Sequence, residues 1–258
     1  MKSSQSPRHS KKICIILPTY NENGNLQRVI PLIQGILQSN GLADSAVILV
    51  VDDNSPDGTG KQADELAQVY GNIQVLHRPA KLGIGSAYKQ AFDYALKRIN
   101  PDVVFQMDAD LSHDPKLIPD FLLKLEEGYD IVVGSRRVPG GGPASWNFRR
   151  QVLSLFANKL AKSLCGVKTQ DATSGYRALT RTALQKSDYS SIESEGYAFQ
   201  IETLYRFQEE GLKIAEIPIV FVGRKTGRTK LDKMQMLTFL FLCLKLFFRR
   251  SGNLAYWA

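Results

Sequence analysis

Cysteine is scarce in this chain, and its three cysteines, Cys14, Cys165 and Cys243, are widely separated. Their number and spacing exclude a disulfide framework and a cysteine-rich zinc site, and they indicate reduced thiols in a cytosolic protein. Acidic residues are also fewer than basic ones, 25 against 33, which gives a formal net charge of +8. Such a surface favours anionic partners: nucleic acid, phosphorylated small molecules or acidic lipid.

The common nucleotide-binding loops are missing as well. The chain contains no GxxxxGK[ST] motif, which excludes a P-loop NTPase. The stretch GIGSAY at residues 83–88 lacks the third glycine of a dinucleotide fingerprint and does not directly follow a strand. An enzyme that uses NAD is therefore not predicted.

Long hydrophobic runs are absent from most of the chain. Residues 1–11 are polar and basic, without the apolar segment of a secretory signal, and we expect them to form a disordered arm. The 258 residues suffice for one sizeable core, and 43% hydrophobic with 22% charged residues is typical of a globular protein. We expect one catalytic domain over residues 12–231 and an amphipathic helix within residues 232–258.

Short apolar runs alternate with helical patterns in the first half of the chain. This alternation predicts an α/β fold with a mostly parallel central sheet covered by helices on both faces. The predicted strands are Ile13–Leu17, Ala46–Val51, Ile73–Leu76, Val103–Met107 and Ile131–Gly134. The predicted helices are Asn25–Gln38, Gly60–Tyr70, Gly85–Arg98 and Pro115–Glu127.

Acidic side chains follow three of these strands at the point where each strand ends. Because ligands bind at the carboxyl ends of the strands in open parallel sheets, we expect the acidic groups to share one edge. They are Glu22, Asp52, Asp53, Asp108 and Asp110. Gathering them is unfavourable unless a cation or a donor-rich ligand compensates.

The pair Asp108 and Asp110 forms a DxD segment directly after a predicted buried strand. Hard divalent cations prefer oxygen ligands, and Mg²⁺ often uses one or two carboxylates together with substrate phosphates. The pair therefore predicts a site for Mg²⁺ or Mn²⁺ that holds a diphosphate. The alternative is a simple turn, in which an aspartate caps Ser112 or the helix that starts at Pro115.

Seven segments occur in this order: PTYNE, VVDDNSPDGT, KLGIGSAY, MDADLSHDP, GSRRVPGGG, DATSGYRAL and GRKTGRTK. Together they resemble the family 2 glycosyltransferases with the GT-A fold, over about residues 12–230. Within that family they are most similar to the dolichyl- or polyprenyl-phosphate mannosyltransferases. The resemblance implies that mannose is transferred from GDP-mannose to dolichyl or polyprenyl phosphate, with inversion.

The resemblance also implies roles for individual residues in binding the nucleotide. Pro18, Tyr20 and Glu22 would line the nucleotide pocket. Val51 and Asp53 would hold the base and the ribose of GDP.

A second group would meet the diphosphate. The resemblance places Asp108, Ala109 and Asp110 at the diphosphate and the metal. Ser112 stands where some relatives have glutamine as a third metal contact, so Ser112 is a candidate metal ligand.

Three basic residues complete the implied site. Arg136 would lie near the transferred sugar and the phosphates, and Arg224 and Lys230 would close over the donor diphosphate and the acceptor phosphate. Of the site residues, Asp110, Arg136 and Lys230 are expected to be catalytic. Each arginine and lysine has the alternative of being a solvated loop residue.

The acceptor determines whether a protein base is needed. A sugar hydroxyl requires a general base, whereas a phosphate monoester, with a second pKa of about 6, is already largely ionised. The second half of the chain is rich in Arg and Lys, and its candidate bases are Asp171 and Glu195. His113, next to the DxD segment, is expected to be a surface residue.

The C-terminal stretch Met234–Phe248 is strongly apolar. Its 15 residues would make about 22 Å of helix, short of the roughly 30 Å of a bilayer core. Gln235, Thr238, Lys245 and Arg249 fall within about 80° on a helical wheel, which predicts a narrow polar stripe beside a wide apolar face. An in-plane membrane helix fits, and a helix buried against the domain or another subunit is the alternative.

We therefore expect a peripheral enzyme on the cytosolic face of a membrane, with a possible accessory membrane subunit. A close rival is the same chemistry with UDP-glucose as donor, and another is a nucleotidyltransferase that releases pyrophosphate. A nucleic-acid-binding protein is not favoured, because basic residues are not interleaved with aromatic ones.

Overall fold

The computed structural model describes residues 11–144, 148–222 and 233–250, in which strands and helices alternate. The strands are β1 Ile13–Thr19, β2 Ala46–Asp52, β3 Ile73–His77, β4 Val103–Gln106, β5 Ile131–Ser135, β6 Gly142–Pro143, β7 Arg177–Thr180, β8 Ile214–Pro218 and β9 Val220–Phe221. The helices are α1 Leu26–Ser39, α2 Thr59–Val69, α3 Ile84–Tyr94, α4 Ile118–Glu126, α5 Phe148–Ser163, α6 Arg181–Lys186, α7 Gly196–Glu209 and α8 Lys233–Arg250.

The central sheet has the strand order β3-β2-β1-β4-β7-β5-β8. Its strands are parallel except β7, which runs antiparallel to both of its neighbours. The short strands β6 and β9 form a separate parallel pair. The expectation of an α/β protein with a mostly parallel sheet is confirmed.

The alternating side chains of each central strand supply two separate cores. In β1, Ile13 and Ile15 point to one face of the sheet, and Cys14 and Ile16 point to the other, all fully buried. Helices α1 and α4 cover the first face, while α3, α7 and α8 cover the second. Because burying a large apolar side chain contributes about 1.5–3 kcal/mol, both faces hold the strand ends firmly in register.

The five predicted strands and the helices between them are present, with ends that differ by a few residues. Helix α3 ends at Tyr94 and continues as a π-helix over Ala95–Ile99, where an unbroken helix to Arg98 was predicted. Helix α4 is preceded by a 3-10 turn at Pro115–Leu117, whose first residue follows the capping residue Asp114. Proline is accepted there because its missing N–H has no intrahelical partner in a first turn.

Helix α8 packs against the face of the sheet that α3 and α7 cover. Leu242, Cys243 and Leu246 are buried in that core. The opposite side of α8 exposes Leu240, Phe241, Leu244, Phe247 and Phe248. The helix therefore joins the domain by one side and presents a wide apolar surface on the other. Within the described parts of the chain, no helix combines the length and the apolar character needed to cross a bilayer.

Candidate active site

The carboxyl ends of β2, β1 and β4 lie side by side at one edge of the sheet. Thr19 at the end of β1 pairs in register with Asp52 of β2, and Ile16 pairs with Gln106 of β4. The acidic segments that follow these three strands therefore leave the sheet at one rim. This rim is the expected place for a ligand in an open parallel sheet.

Asp52 holds the rim together. Its carboxylate accepts hydrogen bonds from the Thr19 hydroxyl at 3.1 Å, the Ser55 hydroxyl at 2.6 Å and the Ser55 amide at 3.0 Å. The side chain is buried, at 3% exposure. Gly60 must be glycine here, because a Cβ at that position would lie 2.9 Å from Asp52 Oδ2.

Asp53 is engaged by a buried arginine. Its carboxylate forms an ion pair with Arg78 Nη1 and accepts a hydrogen bond from the Leu82 amide at 3.3 Å. Arg78 also donates to the Ser86 hydroxyl at 2.6 Å and to Gln90 Oε1 at 3.1 Å. The ion pair therefore ties the end of β2 to the first turns of α3. No motif in the sequence identifies Arg78.

Tyr20 and Glu22 line the rim beside this ion pair. The ammonium group of Lys81 lies 4.0 Å from the centre of the Tyr20 ring, in a cation–π contact. The Glu22 carboxylate accepts a hydrogen bond from Asn25 Nδ2 at 2.6 Å. Pro18 is half-buried at the same edge. Val51, in contrast, is fully buried in the core, so only its main chain can meet a ligand.

The DxD segment adopts a tight turn just beyond β4. The Asp110 carboxylate accepts a hydrogen bond from the Ser112 amide at 3.0 Å, and Leu111 between them has φ of 66°. Ala109 and Asp110 are buried, while Asp108 is half-buried. The turn that was set out as the alternative to a metal site is thus present. This turn does not prevent Asp108 and Asp110 from binding a cation, because Mg²⁺ and Mn²⁺ need few protein ligands.

Ser112 has the burial and the unsatisfied hydroxyl that a further ligand would need. Its Oγ is buried and has no hydrogen-bond partner among the described residues. The described chain has no cluster of three or more His, Cys, Asp or Glu side chains arranged for a metal. Two carboxylates and a hydroxyl fit a cation that is shared with substrate phosphates, and they do not fit a cation held by protein alone.

His113 is a buried residue, and the expectation that it lies on the surface is wrong. Its exposure is 3%, because its ring stacks on Tyr176 with the centroids 4.8 Å apart. The Asp108 amide donates to His113 Nδ1 at 3.0 Å, so the ring proton of the neutral form lies on Nε2. Nε2 is 3.8 Å from Asp108 Oδ2. His113 therefore contacts both the main chain and the carboxylate of Asp108.

Arg136 is likewise buried rather than solvated. Its Nε and Nη2 donate to the two oxygens of Asp171, each at 2.6 Å, and its amide donates to Oδ2 at 2.9 Å. Burial alone would raise the pKa of Asp171, but the hydrogen bonds and charge of Arg136, with the Thr173 hydroxyl, lower it overall. A carboxylate held in this way is a poor general base.

Glu195, the other candidate base, caps a helix. Its Oε2 accepts a hydrogen bond from the Gly85 amide at 2.7 Å, and its Oε1 accepts one from the Ser86 amide at 2.9 Å. These amides belong to the first turn of α3, where N–H groups lack intrahelical partners and the helix dipole favours negative charge. Gly83 has φ of 96°, and a Cβ there would lie 2.3 Å from the carboxylate.

A second arginine and helix α5 adjoin Arg136. Arg137 Nη2 donates to the Ser154 hydroxyl at 2.8 Å. Asn158, one turn further along α5, accepts a hydrogen bond from the Ala172 amide at 2.8 Å. Neither Ser154 nor Asn158 was predicted, because no local motif marks them. Arg224 and Lys230, expected to close over the site, lie outside the described residues.

A pocket of about 430 Å³ opens beside the DxD turn. Its lining includes Asp110, Ser112 and His113 from the turn, together with Arg28 and Val220. The DxD turn therefore contributes both to the rim and to this pocket.

The family model described as glycosyl transferase family 2 matches residues 14–187. The chain belongs to this family. It is 43% identical over 226 residues to the polyprenol monophosphomannose synthase of Mycolicibacterium smegmatis, which covers 87% of this chain and 83% of the relative. It is 40% identical over 221 residues to the undecaprenyl-phosphate mannosyltransferase of Micrococcus luteus, covering 86% and 88%.

Solved glycosyltransferase structures share the fold. The mannosyl-3-phosphoglycerate synthase of Rubrobacter xylanophilus is 22% identical with a TM-score of 0.69, covering 96% of this chain and 77% of that one. The glucosyl-3-phosphoglycerate synthase of Mycobacterium tuberculosis, solved with Mn²⁺, UDP-glucose and phosphoglyceric acid, is 24% identical with a TM-score of 0.63, covering 90% and 80%. The chain is therefore a glycosyltransferase with the GT-A fold.

Proposed function

We propose that this glycosyltransferase transfers mannose from GDP-mannose to a polyprenyl or dolichyl phosphate, with inversion at the anomeric carbon. The relatives at 43% and 40% identity are named for mannosyl transfer to polyprenyl phosphates, and each is matched over more than four fifths of its length. The rim of the sheet supplies the polar groups that a nucleotide sugar needs.

The donor lies along the rim in this proposal. Tyr20, Glu22 and Pro18 flank the nucleotide, and Asp53, oriented by Arg78, faces the base and ribose together with the main chain of Val51. Asp108 and Asp110 receive the diphosphate with a divalent cation, Mg²⁺ or Mn²⁺. When bound, such a cation neutralises charge on the departing diphosphate.

The observation that carries the choice of acceptor is the condition of the two candidate bases. Asp171 is bonded on both oxygens by Arg136, and Glu195 is bonded on both by the amides of α3. A hydroxyl acceptor would need a base with a suitable pKa, but an ionised phosphate attacks without one. The arrangement therefore favours a phosphate acceptor.

Cationic groups position the reacting phosphates. Arg136 and Arg137 lie beside each other after β5, and Arg137 reaches Ser154 on α5. We assign Arg136 to the side of the transferred sugar, acting through its fixed orientation. Arg224 and Lys230 complete the set in this proposal, with Lys230 at the acceptor phosphate.

The lipid part of the acceptor stays in the membrane. Helix α8 exposes Phe241 at 61% and Leu244 at 44%, next to the basic residues Lys245 and Arg249. An apolar helix side flanked by cations is suited to lie in the plane of an anionic bilayer surface. We infer peripheral association with the cytosolic face, where the phosphate of the lipid can reach the rim.

The experiment that tests this function supplies donors one at a time. GDP-mannose, UDP-glucose and UDP-N-acetylglucosamine, each labelled in the sugar, are incubated with a short polyprenyl phosphate and Mg²⁺. We expect label in the organic phase with GDP-mannose alone, as a β-linked product, together with released GDP. Transfer from UDP-glucose alone would change the donor assignment. Release of pyrophosphate would identify a nucleotidyltransferase instead.

A further inference from the structure

Four buried polar side chains lie behind the Asp108 turn, on the side of the sheet that α3 and α7 cover. Gln106 and Arg177 are register partners on β4 and β7. Tyr88 comes from α3 and Gln200 from α7, and no member of the group is more than 5% exposed. We refer to Tyr88, Gln106, Arg177 and Gln200 as the polar chamber.

The polar chamber contains several unsatisfied atoms. The Tyr88 hydroxyl, both ends of the Gln106 amide, Arg177 Nη1 and Gln200 Oε1 have no hydrogen-bond partner among the described residues. Native proteins leave few buried polar atoms without a partner. Because the set includes donors and acceptors, it matches the hydrogen bonding of water, which typically joins two to four such groups when buried.

Arg177 brings a positive charge into the polar chamber. Its Nε and Nη2 donate to the main-chain oxygens of Ser174 and Gln200, each at 2.9 Å, and Nη2 also donates to Ala172 at 3.2 Å. Burial lowers the pKa of Arg177 to about 9, so the guanidinium is still charged at neutral pH. The charge of Asp171 acts on this guanidinium and raises its pKa, against the larger effect of burial.

Asp108 adjoins the polar chamber. It follows Gln106 by two residues, and so it emerges from the same face of the sheet. Gly175 lies between Asp108 and Gln200, since a Cβ there would lie 3.5 Å from Gln200 Nε2 and 3.9 Å from Asp108 Oδ1. Burial and the charge of Asp108 raise the pKa of the Tyr88 hydroxyl, while Arg177 opposes them.

We propose that the polar chamber holds ordered water that connects Arg177, Gln106 and Tyr88 to the Asp108 carboxylate, and that Arg177 is a positioning residue for Asp108. His113 fixes Asp108 from one side, and the polar chamber fixes it from beneath the turn. The carboxylate is thereby held toward the cation and the diphosphate. This inference rests on the proposed function, because it assigns Asp108 to a metal–diphosphate site.

Two substitutions test the inference with little change in shape. Tyr88→Phe removes one hydroxyl that has no partner in the described part of the chain, and Arg177→Lys keeps the charge but loses the planar fork. Each has a matched control at a distance from the rim. Tyr189→Phe removes a hydroxyl that donates to Asp93 at 2.7 Å, and Arg181→Lys alters an arginine that donates to the oxygens of Asn100 and Pro101 at 2.7 Å.

The measurement is the affinity for Mn²⁺ in the presence of GDP, determined from the electron paramagnetic resonance signal of free Mn²⁺. The melting temperature of each variant is measured as well. Because groups that orient a metal ligand typically contribute 10–100-fold to affinity, we expect Arg177→Lys to weaken Mn²⁺ binding about tenfold or more. Tyr88→Phe should weaken it in the same direction, and both controls should stay within about twofold, below that range.

Binding of Mn²⁺ at wild-type affinity by folded Tyr88→Phe and Arg177→Lys would overturn the positioning role alone. If Arg177→Lys does not fold, Tyr88→Phe and Gln106→Leu decide the question by the same measurement. Failure of the wild-type protein to bind Mn²⁺ would overturn the metal assignment, and this inference with it. A high-resolution crystal structure with a dry polar chamber would also contradict the inference.

Discussion

Replacing Asp171 with asparagine separates a structural ion pair from a catalytic base. The carboxylate is fully buried and receives two side-chain bonds of 2.6 Å and one amide bond of 2.9 Å from Arg136. Asparagine offers a single acceptor oxygen and leaves the guanidinium charge unpaired. Breaking a buried pair by removing one partner typically lowers the free energy of unfolding by about 3–5 kcal/mol. At this chain length, that corresponds to a fall of about 10 °C in melting temperature.

The pH dependence of this loss follows from the direction of the pKa shift. The folded-state pKa of Asp171 is lowered, so its contribution to stability is fully present above the unfolded value of about 3.9. The contribution is lost as pH falls through the lower folded value. The stability gap between wild type and Asp171→Asn should therefore be constant from neutral pH down to about 5 and should narrow below about pH 4.

The assay is thermal and urea unfolding of both proteins at several pH values. Asp102→Asn is the control, because Asp102 also pairs with an arginine, Arg181 at 3.2 Å, but is about half exposed. An exposed pair contributes at most about 1 kcal/mol, so the control should melt near the wild-type temperature. An Asp171→Asn protein of wild-type stability whose turnover falls more than about 1,000-fold would refute the structural role and indicate a base.

Three further variants test other parts of the protein. Glu195→Gln should lower stability by about 1 kcal/mol, since it replaces the carboxylate on two α3 amides, and should leave the pH dependence of turnover unchanged; a shifted profile would contradict the capping role. Phe241→Ser combined with Leu244→Ser should reduce pelleting with anionic vesicles at unchanged melting temperature. Val69→Ser, at another exposed apolar position, should leave pelleting unchanged. An equal loss of pelleting in both variants would contradict the assignment of α8 as the membrane-contacting helix. Asp110→Ala should stay folded and lose transfer, so near-normal turnover would end its role at the diphosphate.

The first half of the fold was predictable because each central strand is apolar on both faces and stops at a polar segment. Strand β7 was not, since its four residues, RALT, begin with an arginine that is fully buried. In a sequence, an arginine in a short apolar run indicates a solvated loop. Arg177 is buried instead because main-chain oxygens from other segments accept its hydrogen bonds. Helix α5 escaped prediction for a related reason, because exposed Leu155 and Phe156 disrupt its amphipathic pattern.

The candidate site was predictable to the extent that it follows the strand ends. Asp53, Asp108 and Asp110 could be assigned to one rim because parallel strands end together. Their partners could not, because the contact between Asp53 and Arg78 spans 25 residues and has no motif. His113 was misjudged for the same reason: its burial depends on Tyr176, which β7 brings in from 63 residues further along the chain.

The most direct test of the account is the pH dependence of kcat/KM with two acceptors that differ only in the ionising group. A polyprenyl phosphate and a polyprenyl phosphonate of the same chain length differ in their second pKa, which is about 6 for the phosphate. If the acceptor is its own nucleophile, the acidic limb of the profile should move with the acceptor, toward higher pH for the phosphonate. A limb that stays at the same pH for both acceptors would place the essential base on the protein and contradict the account.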